Sequence, residues 1–200
     1  MKYRFIFTTS IITPDREQVY YDAITDTISK LKHLPFEFYI TENNGERKTL
    51  LDTIEGVKIL YTNTNARTTK IGTKEFHDIR LLSELYEFDD EDLVIKLTGR
   101  YTLANPPTFL ESLVGLEKDY DSMMKWMHVY GGVYLYDDCI LGLFALRYKY
   151  LKEFNYMQME SHPSMEHVFA RFVREVVPED RIIEIKYLGL HFRALLGMLV

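Results

Sequence analysis

Four short apolar runs recur in the first hundred residues, and stretches of helical spacing separate them. The runs are YRFIFTTS (3–10), FEFYITE (36–42), VKILYT (57–62) and LVIKLTGRY (93–101). Pro14 opens the first helical stretch, which runs to about Lys32. Proline suits a first helical turn because its missing N–H has no partner there anyway. Tyr20, Ile24, Thr27, Ile28 and Leu31 then fall on one helical face. The sequence NNGE breaks the second run, and a short helix near 46–54 and a longer one near 73–87 follow. Strand and helix alternating in this way predict an α/β fold with a mostly parallel central sheet flanked by helices. Ligands of such sheets bind beyond the carboxyl ends of the strands. Attention therefore falls on Thr8 to Ser10, Glu42 to Asn44, Thr62 to Thr73, and Thr98 to Tyr101.

The second half reads differently. NPPTFLESLVGL (105–116) predicts a short helix started by prolines. Strand-like runs broken at Gly131–Gly132 and Asp137–Asp138 predict hairpins, and so a smaller antiparallel part. Ser164 can cap a helix whose apolar face is Val168, Phe169, Phe172 and Val176, and RIIEIKY reads as a last strand. There is no repeat or linker, and 200 residues fit a single domain, 1–200.

A net charge of −6 argues against a general nucleic-acid binder, which needs a basic stripe to displace counterions. Cys139 is the only cysteine, so no disulfide forms within the chain, and a reducing, cytoplasmic setting is expected. The apolar N-terminal run is too short to span a bilayer, so no transmembrane segment is expected. The apolar C-terminal HFRALLGMLV is expected to dock on the core; contact with a membrane surface or a longer chain is the alternative. Walker, dinucleotide-glycine and nucleophile-elbow motifs are absent.

Lys96 stands inside an apolar run, and Gly99 and Arg100 stand at its end. Either Lys96 guards a sheet edge, or it has a partner, because a buried unpaired cation is costly. Lys96 and Arg100 are four residues apart, an even spacing that puts both on one face of a strand. Arginine's planar fork suits a diphosphate, and glycine lets another backbone or a ligand come close. Together they suggest a phosphate clamp.

An opening strand ending in small polar residues, an arginine in the first loop, a second strand ending in Glu-Asn, the run IKLTGRY, a later Phe-Ala strand and the helix start SMEH come in that order. The order resembles small nucleotide-sugar glycosyltransferases of the GT-A fold, of the kind encoded by bacterial surface-polysaccharide loci and large DNA viruses. The resemblance implies a GT-A-like (Rossmann-like) domain, with residues 1–104 holding a UDP- or GDP-sugar donor and residues 105–200 serving a glycan or other hydroxyl acceptor. By that resemblance Thr8, Thr9 and Ser10 line the base or ribose pocket, Arg16 reaches the phosphates, and Glu42 lies near the base or ribose. Lys70, Lys96, Gly99 and Arg100 would surround the departing diphosphate, where fixed cations aid catalysis as well as binding.

One departure concerns metal. Many enzymes of that fold hold Mn²⁺ or Mg²⁺ on an Asp-x-Asp pair at the end of the fourth strand, where this chain reads TGRY. Asp90 and Asp92 make such a pair before the strand; they form the metal site or a solvated acidic turn. Otherwise Asp137 and Asp138 hold the cation, or transfer is metal-independent. An inverting enzyme also needs a base for the acceptor hydroxyl, for which Asp137, Asp138 and Glu166 are candidates, with His162 and His191 behind them. Trp126 is either an acceptor platform or core. If the loop after the third strand orders over a donor, Glu75 and Asp78 can face the sugar hydroxyls. Two other functions fit the same architecture. One is a sugar-phosphate nucleotidyltransferase, against which the glycine-free TTSIITPDR counts. The other is a non-catalytic nucleotide-sugar- or glycan-binding domain.

Overall fold

A computed structural model describes residues 1–66, 70–105, 107, 113, 119–130 and 133–192. The four expected runs are strands: β1 (Tyr3–Thr9), β2 (Phe36–Glu42), β3 (Val57–Tyr61) and β4 (Leu93–Thr98). They are followed by β5 (Tyr101–Leu103), β6 (Ser122–Met124), β7 (Trp126–Tyr130), β8 (Val133–Cys139), β9 (Leu143–Arg147), β10 (Ile182–Glu184) and β11 (Leu190–Phe192). Seven strands make the central sheet in the order β10-β6-β9-β4-β1-β2-β3. Within it β9 runs antiparallel to both neighbours, and the remaining pairs are parallel. The pairs β7–β8 and β5–β11 are antiparallel and lie outside it.

Strand alternation splits the core in two. Phe5, Phe7, Phe38, Ile40, Ile95 and Leu97 face helix α1 (Pro14–Leu31), whose Tyr20, Ile24 and Leu31 are buried against them. Burying one such side chain is worth roughly 1.5–3 kcal/mol. Ile6, Tyr39, Val94 and Phe144 belong to the opposite face, under α2 (Ile71–Leu85) and α3 (Met165–Val176). Phe76 of α2 and Phe169 of α3 pack on each other at 4.9 Å. Lys96 shares the face of Ile6 and Val94, beneath α2.

Two expectations change. The expected hairpin turn at Asp137–Asp138 is instead an irregularity within β8: the strand continues through both residues, but its pairing with β7 shifts register there, between the His128–Leu135 and Trp126–Cys139 pairs. The other expected break, Gly131–Gly132, lies outside the described residues, as do most of the expected helix at 105–116 and the C-terminal 193–200. In addition, the run LVIKLTGRY stops as a strand at Thr98, turns at Gly99–Arg100 and re-forms as β5. The turn is tight against β1: Gly99 N donates to Thr8 O at 2.9 Å. A Cβ on Gly99 would lie 2.9 Å from Thr9 Cγ2 and 3.1 Å from Thr8 O. Among the described residues no helix is long and apolar enough to cross a membrane.

Candidate active site

A cleft of about 470 Å³ opens at the carboxyl ends of β1 and β4. Thr8, Thr9 and Thr98 supply the strand-end residues of its lining. First turns of three helices form walls: Arg16 from α1, Gly72, Lys74 and Glu75 from α2, and Met165 and Glu166 from α3. Each helix N-terminus carries a partial positive charge. Neither Thr13 before α1 nor Lys70 before α2 makes a side-chain cap. The start of α2 sits close to α3 because position 72 is glycine: a Cβ there would lie 2.9 Å from Met165 Sδ and 3.0 Å from Met159 Sδ. Gly142, after β8, does the same for Tyr101, whose ring a Cβ would strike. The Arg100 guanidinium lies 5.8 Å from the centre of that ring. Burial holds the Tyr101 phenol above its ordinary pKa, while Arg100 pulls it down and Glu75 and Glu166 push it up.

The answer to Lys96 is a partner. Its ammonium is buried and donates to Glu75 Oε2 at 2.9 Å, Thr98 Oγ1 at 2.8 Å and the Leu141 carbonyl at 2.8 Å. An ammonium has three N–H bonds, and here three acceptors take them. Lys96 thus lines the cleft with its three donors engaged inside the protein, tied to Glu75 rather than standing free beside Arg100 as the strand spacing suggested. The other oxygen of Glu75 accepts from Thr8 Oγ1 at 2.8 Å. Sequence spacing put Lys96 and Arg100 on one face, but the turn at Gly99 ends that alternation.

Glu42 is fully buried and is not part of the cleft lining. It accepts from Thr9 Oγ1 at 2.6 Å, from Ile11 N at 3.1 Å, from Asn44 N at 3.2 Å and from Arg47 Nη2 at 3.2 Å. It lies behind the cleft lining rather than on it, fixing the loop of Ser10 to Ile12. Asp78 plays a similar part for the loop after β3, accepting from Thr62 Oγ1 at 2.7 Å and Thr64 Oγ1 at 2.8 Å. Burial, with Glu75 and Glu42 nearby, outweighs those hydrogen bonds and pushes the Asp78 carboxyl up to about 6.

Thr8, Thr9, Ser10, Arg16, Lys96, Arg100 and Glu166 all line the cleft. Lys70 does not; it precedes α2, and Lys74, one turn in, lines the cleft instead. Lys74 Nζ donates to Asn65 Oδ1 at 2.7 Å, which ties the loop after β3 to the wall. The apolar period alone starts this helix near 73 and does not single out Lys74; the observed start at Ile71 puts Lys74 one turn in. Among the base candidates, Glu166 is on the cleft and accepts from Ser164 Oγ at 3.3 Å. Asp137 is exposed, whereas Asp138 is buried and accepts from Cys139 N at 2.9 Å; neither lines the cleft. Trp126 is buried in the core under α3, with Arg174 over its ring at 4.6 Å.

Asp90 and Asp92 stand at the amino end of β4, the opposite end of the sheet from the cleft. Asp92 is fully buried and accepts from Arg4 Nε and Lys2 N, each at 2.7 Å. Asp90 pairs with Lys152 at the surface, at 2.6 Å. They are not a metal pair. Where the fold would place one, β4 ends in Thr98, Gly99 and Arg100. Both oxygens of Glu75 are engaged, and no group of three His, Cys, Asp or Glu side chains gathers among the described residues. A hard divalent cation can be held by one or two carboxylates with waters and substrate phosphates; on the cleft Glu166 is the carboxylate whose oxygens are not both engaged by Thr8 and Lys96, as those of Glu75 are.

No protein-family model matches the chain, and no curated protein matches it in sequence. Its fold is similar to solved structures at low identity. Residues 1–349 of S. aureus TarS align with a TM-score of 0.60 at 14% identity, over 92% of this chain and 58% of that one. A glycosyltransferase involved in the glycosylation of the major capsid of PBCV-1 aligns at 0.53 and 11% identity, over 92% and 82%. The inositol-1-phosphate CTP transferase from T. maritima aligns at 0.56 and 14% identity, over 92% and 85%. At such identities the likeness establishes the fold, which is GT-A-like, as the resemblance implied.

Proposed function

We propose that this chain is a nucleotide-sugar-dependent glycosyltransferase that moves a sugar from a nucleoside-diphosphate donor to a hydroxyl acceptor, in a reducing, cytoplasmic setting. One observation carries the reading. Three helix N-termini, together with Arg16, Lys74 and Arg100, converge on a cleft at the carboxyl ends of β1 and β4, and the carboxylates Glu75 and Glu166 share it. The cations and helix ends suit a diphosphate, and a carboxylate suits a reacting hydroxyl.

In this reading Arg16, Lys74 and Arg100 hold the diphosphate and stabilise the charge it gains as the sugar departs. Glu166, capped into place by Ser164, takes the acceptor's proton. The solved complex of S. aureus TarS with UDP supports placing UDP-sugars first among the donors to try. Thermal shift with UDP, GDP and CTP and with UDP- and GDP-sugars, each in EDTA and in Mn²⁺, is the test. A ligand bound by the native state alone raises the melting temperature. A rise with a sugar nucleotide, and release of nucleoside diphosphate on adding a glycan, is the expected result. A rise with CTP alone, with pyrophosphate release on adding a sugar phosphate, would replace this reading with the nucleotidyltransferase one. A flat panel would overturn it.

A further inference from the structure

Glu75 is the most constrained carboxylate of the cleft. It stands in the first two turns of α2 and reaches the strand ends across the core. Oε1 accepts from Thr8 on β1, and Oε2 accepts from Lys96 on β4. Its side chain keeps 15% of its surface exposed, whereas Lys96 keeps 2%. Burying a lysine beneath a ligand cleft is unfavourable unless its charge is matched and its donors are used; here Glu75 matches the charge and takes one donor, and Thr98 Oγ1 and the Leu141 carbonyl take the other two. Three elements thus converge to hold Glu75 still. The Thr8 hydroxyl and the Lys96 ammonium approach from the strand ends, and the cleft lies on the exposed side.

We infer that Glu75 contacts the transferring sugar and stabilises the positive charge that builds on its anomeric carbon. The inference rests on the glycosyltransferase reading and deepens it. As the bond from the anomeric carbon to the diphosphate oxygen breaks, the electron pair leaves with the diphosphate, onto Arg16, Lys74 and Arg100. The acceptor oxygen forms the new bond and its proton goes to Glu166. Between these events the sugar ring is oxocarbenium-like, and a fixed carboxylate stabilises that state more than the neutral donor. Fixing matters because a group that need not reorient at the moment of reaction contributes most. Glu75 forms no covalent bond in this scheme. Lys96 and Thr8 act through it.

The test uses the whole chain and two variants. Glu75→Gln keeps the shape and removes the charge. Glu75→Asp keeps the charge beside Lys96 but withdraws it by one methylene. Three quantities are measured: the melting temperature, the rise in that temperature with UDP or GDP, and the rate of nucleoside diphosphate release from the matching sugar nucleotide. Either folded variant should keep the shift with free UDP or GDP and lose turnover by roughly 10²–10³-fold. Should Glu75→Gln fail to fold, Glu75→Asp decides. Turnover within about threefold of wild type in a folded variant would overturn the assignment of Glu75 and leave the transferase reading standing. Loss of the free-nucleotide shift in both variants would overturn it as well, by placing Glu75 with the nucleotide. Wild-type protein that neither shifts with nor turns over any sugar nucleotide would overturn both.

Discussion

Arg4 is a buried cation in the second residue of a core strand, and Asp92 is the reason it is tolerated. Its Nε donates to Asp92 Oδ2 at 2.7 Å, Nη1 donates to Glu37 Oε2 at 2.7 Å, and the guanidinium stacks on Phe88 at 4.5 Å. Asp92 in turn holds Lys2 N and Asp89 N, so one carboxylate fastens the entry of β1 to the entry of β4. Removing Asp92 leaves Glu37 as the remaining carboxylate on Arg4 and strips the buried Arg4 Nε, together with Lys2 N and Asp89 N, of its acceptor. We therefore expect Asp92→Ala to lower stability by about 3–5 kcal/mol, whereas Asp90→Ala, at the exposed Lys152 pair, leaves chemical denaturation unchanged. Neither should alter the response of turnover to Mn²⁺. A metal requirement that vanished with Asp90 or Asp92 would contradict this account. Sequence spacing cannot separate these two aspartates, since both stand in FDDED. What separates them is the arginine on a neighbouring strand, which only the fold brings near. The same holds for Lys96, whose partner Glu75 is 21 residues away.

Between β3 and α2 the chain forms a wall of the cleft, and Asp78 anchors it from below. Its carboxyl sits near 6 in the folded protein because burial outweighs the hydroxyls of Thr62 and Thr64. An unfolded aspartate titrates near 3.9. Between about pH 4 and pH 6 the folded state thus retains a proton that the unfolded state has lost, and stability from this group falls as pH rises. Above pH 6 the carboxyl is charged in both states and the penalty is constant. Asp78→Asn keeps an acceptor for the threonines and removes the titration. The melting temperature of Asp78→Asn relative to wild type should therefore climb from pH 4 to pH 6 and then level off. A difference that stays flat across that range would show that Asp78 titrates normally. At this scale the sequence was readable in part. The apolar periods located β1 to β4 and both long helices, because one buried face sets each period. They could not locate the start of α2, which decides that Lys74 and not Lys70 meets the cleft. Nor could they show that Asp137 and Asp138 continue β8, since two adjacent aspartates look like a turn until Trp126 is seen pairing with Cys139.

Across the whole molecule, the parallel order β4-β1-β2-β3 follows from strand and helix alternation, but the antiparallel β9 beside β4 does not. Its placement brings Leu141 and Gly142 to the end of β4, and α3 follows it over the same face as α2. The cleft is thereby closed by chain from both halves, and so Glu166 lines it together with Thr8. One consequence is electrostatic. Although the chain carries a net −6, the cleft collects Arg16 and Lys74 at the starts of α1 and α2 and Arg100 in the turn after β4. Hydrogen bonds to charged groups contribute about 1.5–3 kcal/mol each, so Arg16→Ala and Arg100→Ala should each weaken sugar-nucleotide binding by roughly 10–100-fold. If these cations do the work of a metal, two further results go together. Binding and turnover persist in EDTA, and binding weakens as salt rises, because a cleft open to water is screened. Titration calorimetry of the sugar nucleotide with wild type and both variants, in EDTA and at two ionic strengths, measures all of this at once. Binding that required Mn²⁺ and ignored Arg100 would mean that the diphosphate lies elsewhere in the cleft, on ligands other than the arginines at the ends of α1 and β4.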